Sequence, residues 1–359
     1  MRDERGKRRR FLSTLPALAF SAKAWGNLVE VRKSNELTFP RDHGAHAQYR
    51  TEWWYITGWV RDGNGQDLGV QVTFFRSRPG VAEDLVSAFA PKQLLFAHAA
   101  LADPRDGRLR HDQRAGRAGF GIVSAAEDTT DVRIGDWSLR LEADEYRARI
   151  VARDFAMDLS FRARQPPLLQ GTAGVSRKGP RPEQASFYYS RPQLEVSGSL
   201  ERDGRTEVVT GTAWLDHEWS SEYLAPDAAG WDWIGVNLDD GGALMAFRIR
   251  GRDGGVLWAG GAYRSADGAI RVFTPDEIAF APVRRWRSAR TGIDYPVAMR
   301  VTAGGREFVV EPLQDDQELD ARATVGIIYW EGAVRVTTGG AAAGRGYLEL
   351  TGYGDPLRL

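Results

Sequence analysis

Six consecutive residues, Trp214-Leu215-Asp216-His217-Glu218-Trp219, set three ionisable groups in a row between two tryptophans. On a strand, successive side chains point to opposite faces. Trp214, Asp216 and Glu218 then share one face, and Leu215, His217 and Trp219 share the other. Whichever face turns inward, a titratable group enters an aromatic interior. Burying a charge is costly unless the group is paired or its pKa moves. A group whose pKa has moved is a candidate for acid–base chemistry. The competing reading is a hydrogen-bonded network that ties a strand end to a loop.

Two other clusters carry chemically capable side chains. Asp42-His43-Gly44-Ala45-His46 runs toward Glu52-Trp53-Trp54-Tyr55. His43, His46 and His217 with an acid are ligand types that zinc accepts. No HExxH-like spacing joins them, and neither a metal nor another cofactor is expected. Ser186-Phe187-Tyr188-Tyr189-Ser190 follows a Pro/Gly-rich stretch and reads either as a pocket lining or as the start of a strand. A serine-hydrolase elbow, Gly-x-Ser-x-Gly, does not occur. Nor does a phosphate-cradling loop that opens a helix.

The elements that must position these groups read as strands. No long segment has apolar residues at helical spacing. Residues 52–60 lead into the turn Asp62-Gly63-Asn64-Gly65, and 68–76 return, which is a hairpin signal. Further strand runs are 96–102, 137–143, 146–152 and 155–163, then 194–200 and 208–214 flanking Asp203-Gly204. The stretch 165–184, with four prolines, reads as a long loop of the kind that often serves binding. A second series covers 231–238, 243–250, 256–264, 270–273, 298–303, 307–312, 325–336 and 345–351. The halves echo one another: Glu52-Trp53-Trp54 precedes a hairpin that returns through Phe74-Phe75-Arg76, and Trp231-Asp232-Trp233 one that returns through Phe247-Arg248. Duplicated β-barrels with a boundary near 220–230 follow as an expectation.

Composition agrees. A chain of 359 residues exceeds one ordinary domain, and 42% hydrophobic residues suffice for two cores. Formal charge is zero, with 48 basic and 48 acidic residues, which argues against a nucleic-acid partner. Twelve tryptophans and forty glycines suit aromatic strands joined by tight turns. The chain has no cysteine, so disulfides, thiolate metal sites and a catalytic thiol are excluded.

The N-terminus reads as an address. Arg8-Arg9-Arg10-Phe11-Leu12 resembles the twin-arginine export signature. A short apolar run, 15–20, and the small-x-small site Ala22-Lys23-Ala24 follow. The run is too short to span a bilayer. Residues 1–24 are expected to be a signal peptide, with 25–222 and 223–359 as two domains of a periplasmic or secreted protein.

With Phe39-Pro40-Arg41-Asp42-His43-Gly44-Ala45-His46, Glu52 to Gly58, Tyr188-Tyr189-Ser190 and the 214–219 element in view, the chain resembles a lipocalin-like family from about Phe39 to its end. That family contains carotenoid 1,2-hydratase (hydroxyneurosporene synthase) and the AttH-type predicted secreted hydrolases. The resemblance implies an all-β fold of two consecutive lipocalin-like antiparallel β-barrels. It places the hydratase acid in the Trp-x-Asp element, here Trp214 and Asp216.

Three functions follow as expectations. The first is a hydro-lyase-like enzyme that protonates or hydrates an apolar isoprenoid or polyketide-like substrate in a barrel cavity. Asp216 is the acid, and His217 or Glu218 positions water. Trp54, Tyr188, Trp214, Trp231 and Trp233 face the cation, and Arg76 and His43 complete the substrate site. The second is a non-catalytic periplasmic binder of lipids or other hydrophobes that serves an ABC-type export system. The third is an ester or lactone hydrolase using Asp216, His217 and Glu218, with Arg76 as oxyanion donor.

Overall fold

The computed structural model describes residues 29–31, 36–81, 83–222 and 224–354, so the expected signal segment, 1–24, lies outside the described residues. β-branched and aromatic residues favour a pleated, half-buried surface, and Gly-containing turns reverse the chain between runs of them. At Asp203-Gly204 both residues are left-handed, with φ of 52° and 72°. This is the two-residue turn whose twist matches that of the flanking strands. It joins the two longest strands, Ala185–Arg202 and Arg205–Ser220. Among the described residues there is no α-helix, only the short 3-10 turns Arg41–His43 and Pro275–Glu277.

The strands form one sheet of 13 and one of 10. In each, the last long strand returns to pair antiparallel with the first: Arg205–Ser220 with Thr51–Arg61, and Ala341–Thr351 with Ala228–Leu238. Each sheet is thus a meander that curls back on itself and leaves one seam. In the first, the seam lies between Leu109–Arg117 and Val123–Ala125, and a Gly119–Val123 bridge sits at it. In the second it lies between Ile270–Phe273 and Ile278–Arg287. Four strands before the seam and a last-to-first pairing recur in both halves. The architecture is all-β, a succession of two lipocalin-like antiparallel barrels.

The echo between the halves has a structural counterpart. Glu52 pairs in register with Arg76, and Asp232 with Arg248. Each acid is buried inside its own sheet and meets its arginine at 2.7 Å and 2.5 Å respectively. The stretch 165–184 departs from the expected loop. It contributes the short strands Leu168–Leu169 and Val175–Arg177, both paired with Ala185–Arg202. Leu109–Arg117 and Ile278–Arg287 are further strands that the hydrophobic pattern did not reveal. The first alternates no apolar residues, and the second carries Pro282 and three arginines.

Four apolar clusters follow from strand alternation among the described residues, the smallest of them setting Ala100, Ala102 and Leu109 against Leu319, Ala321 and Tyr329. One fills the first sheet's interior, around Trp54, Ile56, Phe74, Leu215 and Trp219. A second fills the other sheet around Ile234, Val236, Val334 and Leu348. The third joins the outer faces of the two sheets and includes Tyr55, Trp59, Tyr188, Trp214, Trp233 and Phe247. The sheets approach closely where side chains are small. A Cβ on Gly69 would stand 2.7 Å from both Ala333 Cβ and Tyr347 OH, and Trp59 Nε1 donates to Gly346 O at 3.0 Å. Toward the opposite end, Trp53, Trp231 and Trp258 are only partly buried against the same cluster.

Candidate functional site

Strand alternation splits the 214–219 element as its sequence requires, and the two faces enter different environments. His217 and Trp219 point into the first barrel, whereas Trp214, Asp216 and Glu218 point at the second sheet. The arrangement expected from sequence, one barrel cavity holding Asp216 together with His217, Trp54, Arg76 and His43, is therefore corrected. Asp216 lies between the sheets, and the other four lie inside the first barrel, behind the backbone of Arg205–Ser220.

The interior group is a continuous network. Glu52 accepts from Arg76 Nε at 2.7 Å, His46 Nδ1 at 2.7 Å, His217 Nε2 at 2.9 Å and the His46 backbone N–H. Burial opposes ionisation of Glu52, but the Arg76 and His46 charges outweigh it and hold the carboxyl well below its ordinary range. Burial likewise opposes charge on His46, but the Glu52 and Asp42 carboxylates raise its pKa. His217 is pushed down to about 4 by burial, against the pull of Glu52, and His43 to about 3 by burial and the Arg191 charge. With both neutral, one directional chain is consistent. Arg191 donates to His43 Nε2 at 3.1 Å, His43 Nδ1 donates to Tyr189 OH at 2.8 Å, and Tyr189 donates to His217 Nδ1 at 3.1 Å. His46 stacks on Trp219 with ring centroids 3.6 Å apart, and His217 on Trp54 at 4.7 Å.

His46, Glu52 and His217 offer donor atoms within 4.8 Å of one another. Glu52 replaces His43 in the trio considered from sequence, because His43 turns to Tyr189 and Arg191. An ion bound here would have to displace two imidazole hydrogen bonds to Glu52 and sit beside the Arg76 guanidinium. The donor set suits a hydrogen-bonded network better than a divalent cation.

The group between the sheets is chemically different. Asp216 Oδ1 accepts from Ser190 Oγ at 2.6 Å and Trp214 Nε1 at 2.7 Å, and Oδ2 meets Tyr188 OH at 2.6 Å. Trp233 Nε1, from the second sheet, donates to the same phenol oxygen at 3.1 Å. Burial dominates over these hydrogen bonds and pushes Asp216 up to about 7. Glu218 is held by Lys178 Nζ at 3.0 Å and by Ser186. Lys178 in turn lies 4.1 Å from the Phe247 ring centroid and 4.6 Å from that of Tyr188. Tyr55 packs edge-on against Trp233 at 5.4 Å.

Of the residues expected from sequence, the space between the sheets brings together Asp216, Glu218, Tyr188, Trp214, Trp231 and Trp233. Sequence reasoning missed Tyr55, Ser190, Lys178, Glu331 and Glu349. Tyr55 and Ser190 stood in the quoted motifs and were assigned no role. Lys178 was hidden in a stretch read as loop, and the two glutamates belong to strands of the second barrel that carried no motif.

Two curled antiparallel meanders packed through an aromatic, acid-bearing face define a double lipocalin-like barrel. The AttH-like family model matches residues 30–353, and the chain belongs to that family. A crystal structure of a putative AttH from Nitrosomonas europaea is 54% identical, with a TM-score of 0.86 over 91% of this chain and 100% of that one. Kievitone hydratase from Nectria haematococca is 15% identical, with a TM-score of 0.68 over 90% and 95% of the two chains. CghA, solved with Sch210972, is 14% identical, with a TM-score of 0.52 over 84% and 88%. These last two establish likeness of fold. No curated protein matches the chain.

Proposed function

We propose that the chain is a hydro-lyase-like enzyme that protonates a carbon–carbon double bond of an apolar, isoprenoid or polyketide-like substrate held between the two sheets. The observation that carries this reading is Asp216, a carboxyl buried among aromatic rings and poised near neutrality, in contact with the Tyr188 phenol. A carboxylic acid kept protonated by its surroundings can deliver a proton at neutral pH. Both Asp216 oxygens are engaged, so the proton leaves through Tyr188: the phenol accepts from Asp216 as it gives its own proton to the alkene carbon. The faces of Trp214, Trp231 and Trp233 stabilise the cation that results, each by about 2 kcal/mol when desolvated. Water then adds to it. The hydratase fold neighbour is consistent with this chemistry.

The test is deuterium incorporation. The protein is incubated in D2O with a panel of isoprenoid and polyketide alkenes, and label at carbon is read by mass spectrometry. Asp216→Asn should lower incorporation by about 10²–10⁴-fold, the usual loss for a general acid, with the fold intact by circular dichroism. An active Asp216→Asn protein sinks the mechanism. A chain that binds the alkenes and exchanges nothing is instead a hydrophobe carrier.

We further infer export by the twin-arginine route and action in the periplasm, on the strength of Arg8-Arg9-Arg10-Phe11-Leu12. Residues 1–24 fused to a reporter should carry it out of the cytoplasm, and a double Arg→Lys change at Arg8 and Arg9 should retain it.

A further inference from the structure

The space between the sheets holds acids that the Asp216 reading leaves unused. Glu331 and Glu349 stand directly opposite one another on neighbouring strands, on the face turned toward the first sheet. Gln71 Nε2 reaches across from the first sheet to Glu331 Oε2 at 2.9 Å. Tyr55 acts on the same carboxylate. Glu331 Oε1, Tyr55 OH and Gln71 Oε1, and Thr57 Oγ1 beside Gln71 in register, are buried without a partner at full hydrogen-bond geometry. Tyr55, Thr57 and Gln71 are 6%, 1% and 2% exposed. Thr57 and Gln71 are register partners, and Tyr55 is the register partner of Asp216. Buried polar atoms are nearly always paired with protein or with ordered water. A buried carboxylate oxygen left without a close partner, flanked by the under-satisfied Tyr55 and Gln71 side chains, points to a small polar ligand next to the acid.

We propose that Glu331 and Glu349 share one proton and, with Tyr55, Thr57 and Gln71, bind the water molecule that adds to the substrate cation. This rests on the hydro-lyase reading and supplies its missing base. Asp216 loses a proton to the alkene carbon through Tyr188. A lone pair of the bound water forms the new C–O bond, and the proton that this water releases passes to Glu331. The acid ends as carboxylate and the pair ends doubly protonated, so charge is conserved, and proton return from the pair to Asp216 resets the site. Like charges on residues paired directly across a largely buried ladder resist double ionisation. Burial and then the Glu349 charge hold Glu331 well above its ordinary range, and burial pushes Glu349 up to about 7. The ionisable groups acting on the pair are Tyr55, Tyr329, Tyr347, Asp216 and Glu218, all of them acids.

Infrared spectroscopy of the full chain at pH 7 tests the shared proton without any substrate. A protonated-carboxyl band should be present and should weaken in both Glu331→Gln and Glu349→Gln, separately from the part lost in Asp216→Asn. With the alkene found in the D2O screen, Glu331→Gln should lower water addition at least about 100-fold while carbon deuteration stays within about threefold. Tyr55→Phe, which keeps both carboxylates and perturbs packing least, should lower water addition about tenfold. A band indifferent to both glutamine variants overturns the proposal, as does water addition falling only in step with deuteration. A chain inert toward every alkene sinks the hydro-lyase reading and the water's role with it, and the infrared band then still decides whether the pair shares a proton.

Discussion

At the scale of single residues, the molecule keeps two kinds of perturbed group a strand's thickness apart, and they respond to pH with opposite sign. Asp216 has its pKa raised to about 7. The folded state therefore binds its proton more tightly than the unfolded chain does. That contribution is fully present below the unfolded value and is lost as pH rises through 7. His43 and His217, lowered to about 3 and 4, act in the other sense: the unfolded chain takes up their protons first, so stability falls as pH drops below about 6.5. The two effects offset one another in the wild type, and substitution separates them. The melting temperature of Asp216→Asn relative to wild type should climb as pH goes from about 4 to 7. A flat difference would show that Asp216 titrates in its ordinary range. Glu52→Gln should be harsher, costing about 3–5 kcal/mol, because it leaves Arg76 buried without its counter-charge. Chemical denaturation measures that loss directly.

At the scale of elements, small residues set the spacing between the sheets. Asp67–Ser77 presents Gly69 to the second sheet, and its missing Cβ leaves room for Ala333 and Tyr347. Gly69→Val would force the sheets apart at this close contact, and overpacking of this kind costs about 1–3 kcal/mol. The expected outcome is a lower melting temperature, and weaker alkene binding because the acid and the aromatic faces lose their spacing. Gly235 plays the same part from the other side, where a Cβ would stand 3.1 Å from the Trp214 ring. The first hairpin of each barrel also repeats one device, an acid on the outgoing strand and an arginine opposite it on the return. Register makes the pair, because residues directly across an antiparallel ladder lie within side-chain reach.

At the scale of the whole molecule, the site depends on both barrels. Asp216, Tyr188 and Tyr55 come from the first, and Trp233, Glu331 and Glu349 from the second. The apolar cluster between the sheets is continuous with buried side chains on each. Calorimetry should therefore show one cooperative transition, with calorimetric and van't Hoff enthalpies in agreement. Two separated transitions would mean that the barrels fold independently and the site assembles by docking.

Many strand positions, several turns and the faces of the 214–219 element were legible in the sequence because they depend on local rules: β-propensity, turn chemistry and a side-chain period of two. The same period already separated Asp216 from His217. Family resemblance added the closure of each sheet and placed the acid in the Trp-x-Asp element. Only the tertiary structure decided what each face meets. The Asp216 face meets a second sheet rather than a barrel interior, and His217 meets Glu52, 165 positions away. Glu331 and Glu349 carry no local signal, since one acid within a strand looks like a solvated side chain. They become a pair through strand register, and face Tyr55 and Gln71 through the packing of one barrel on the other. Neither relation is written in any short stretch of chain, because both arise between residues that only folding brings together.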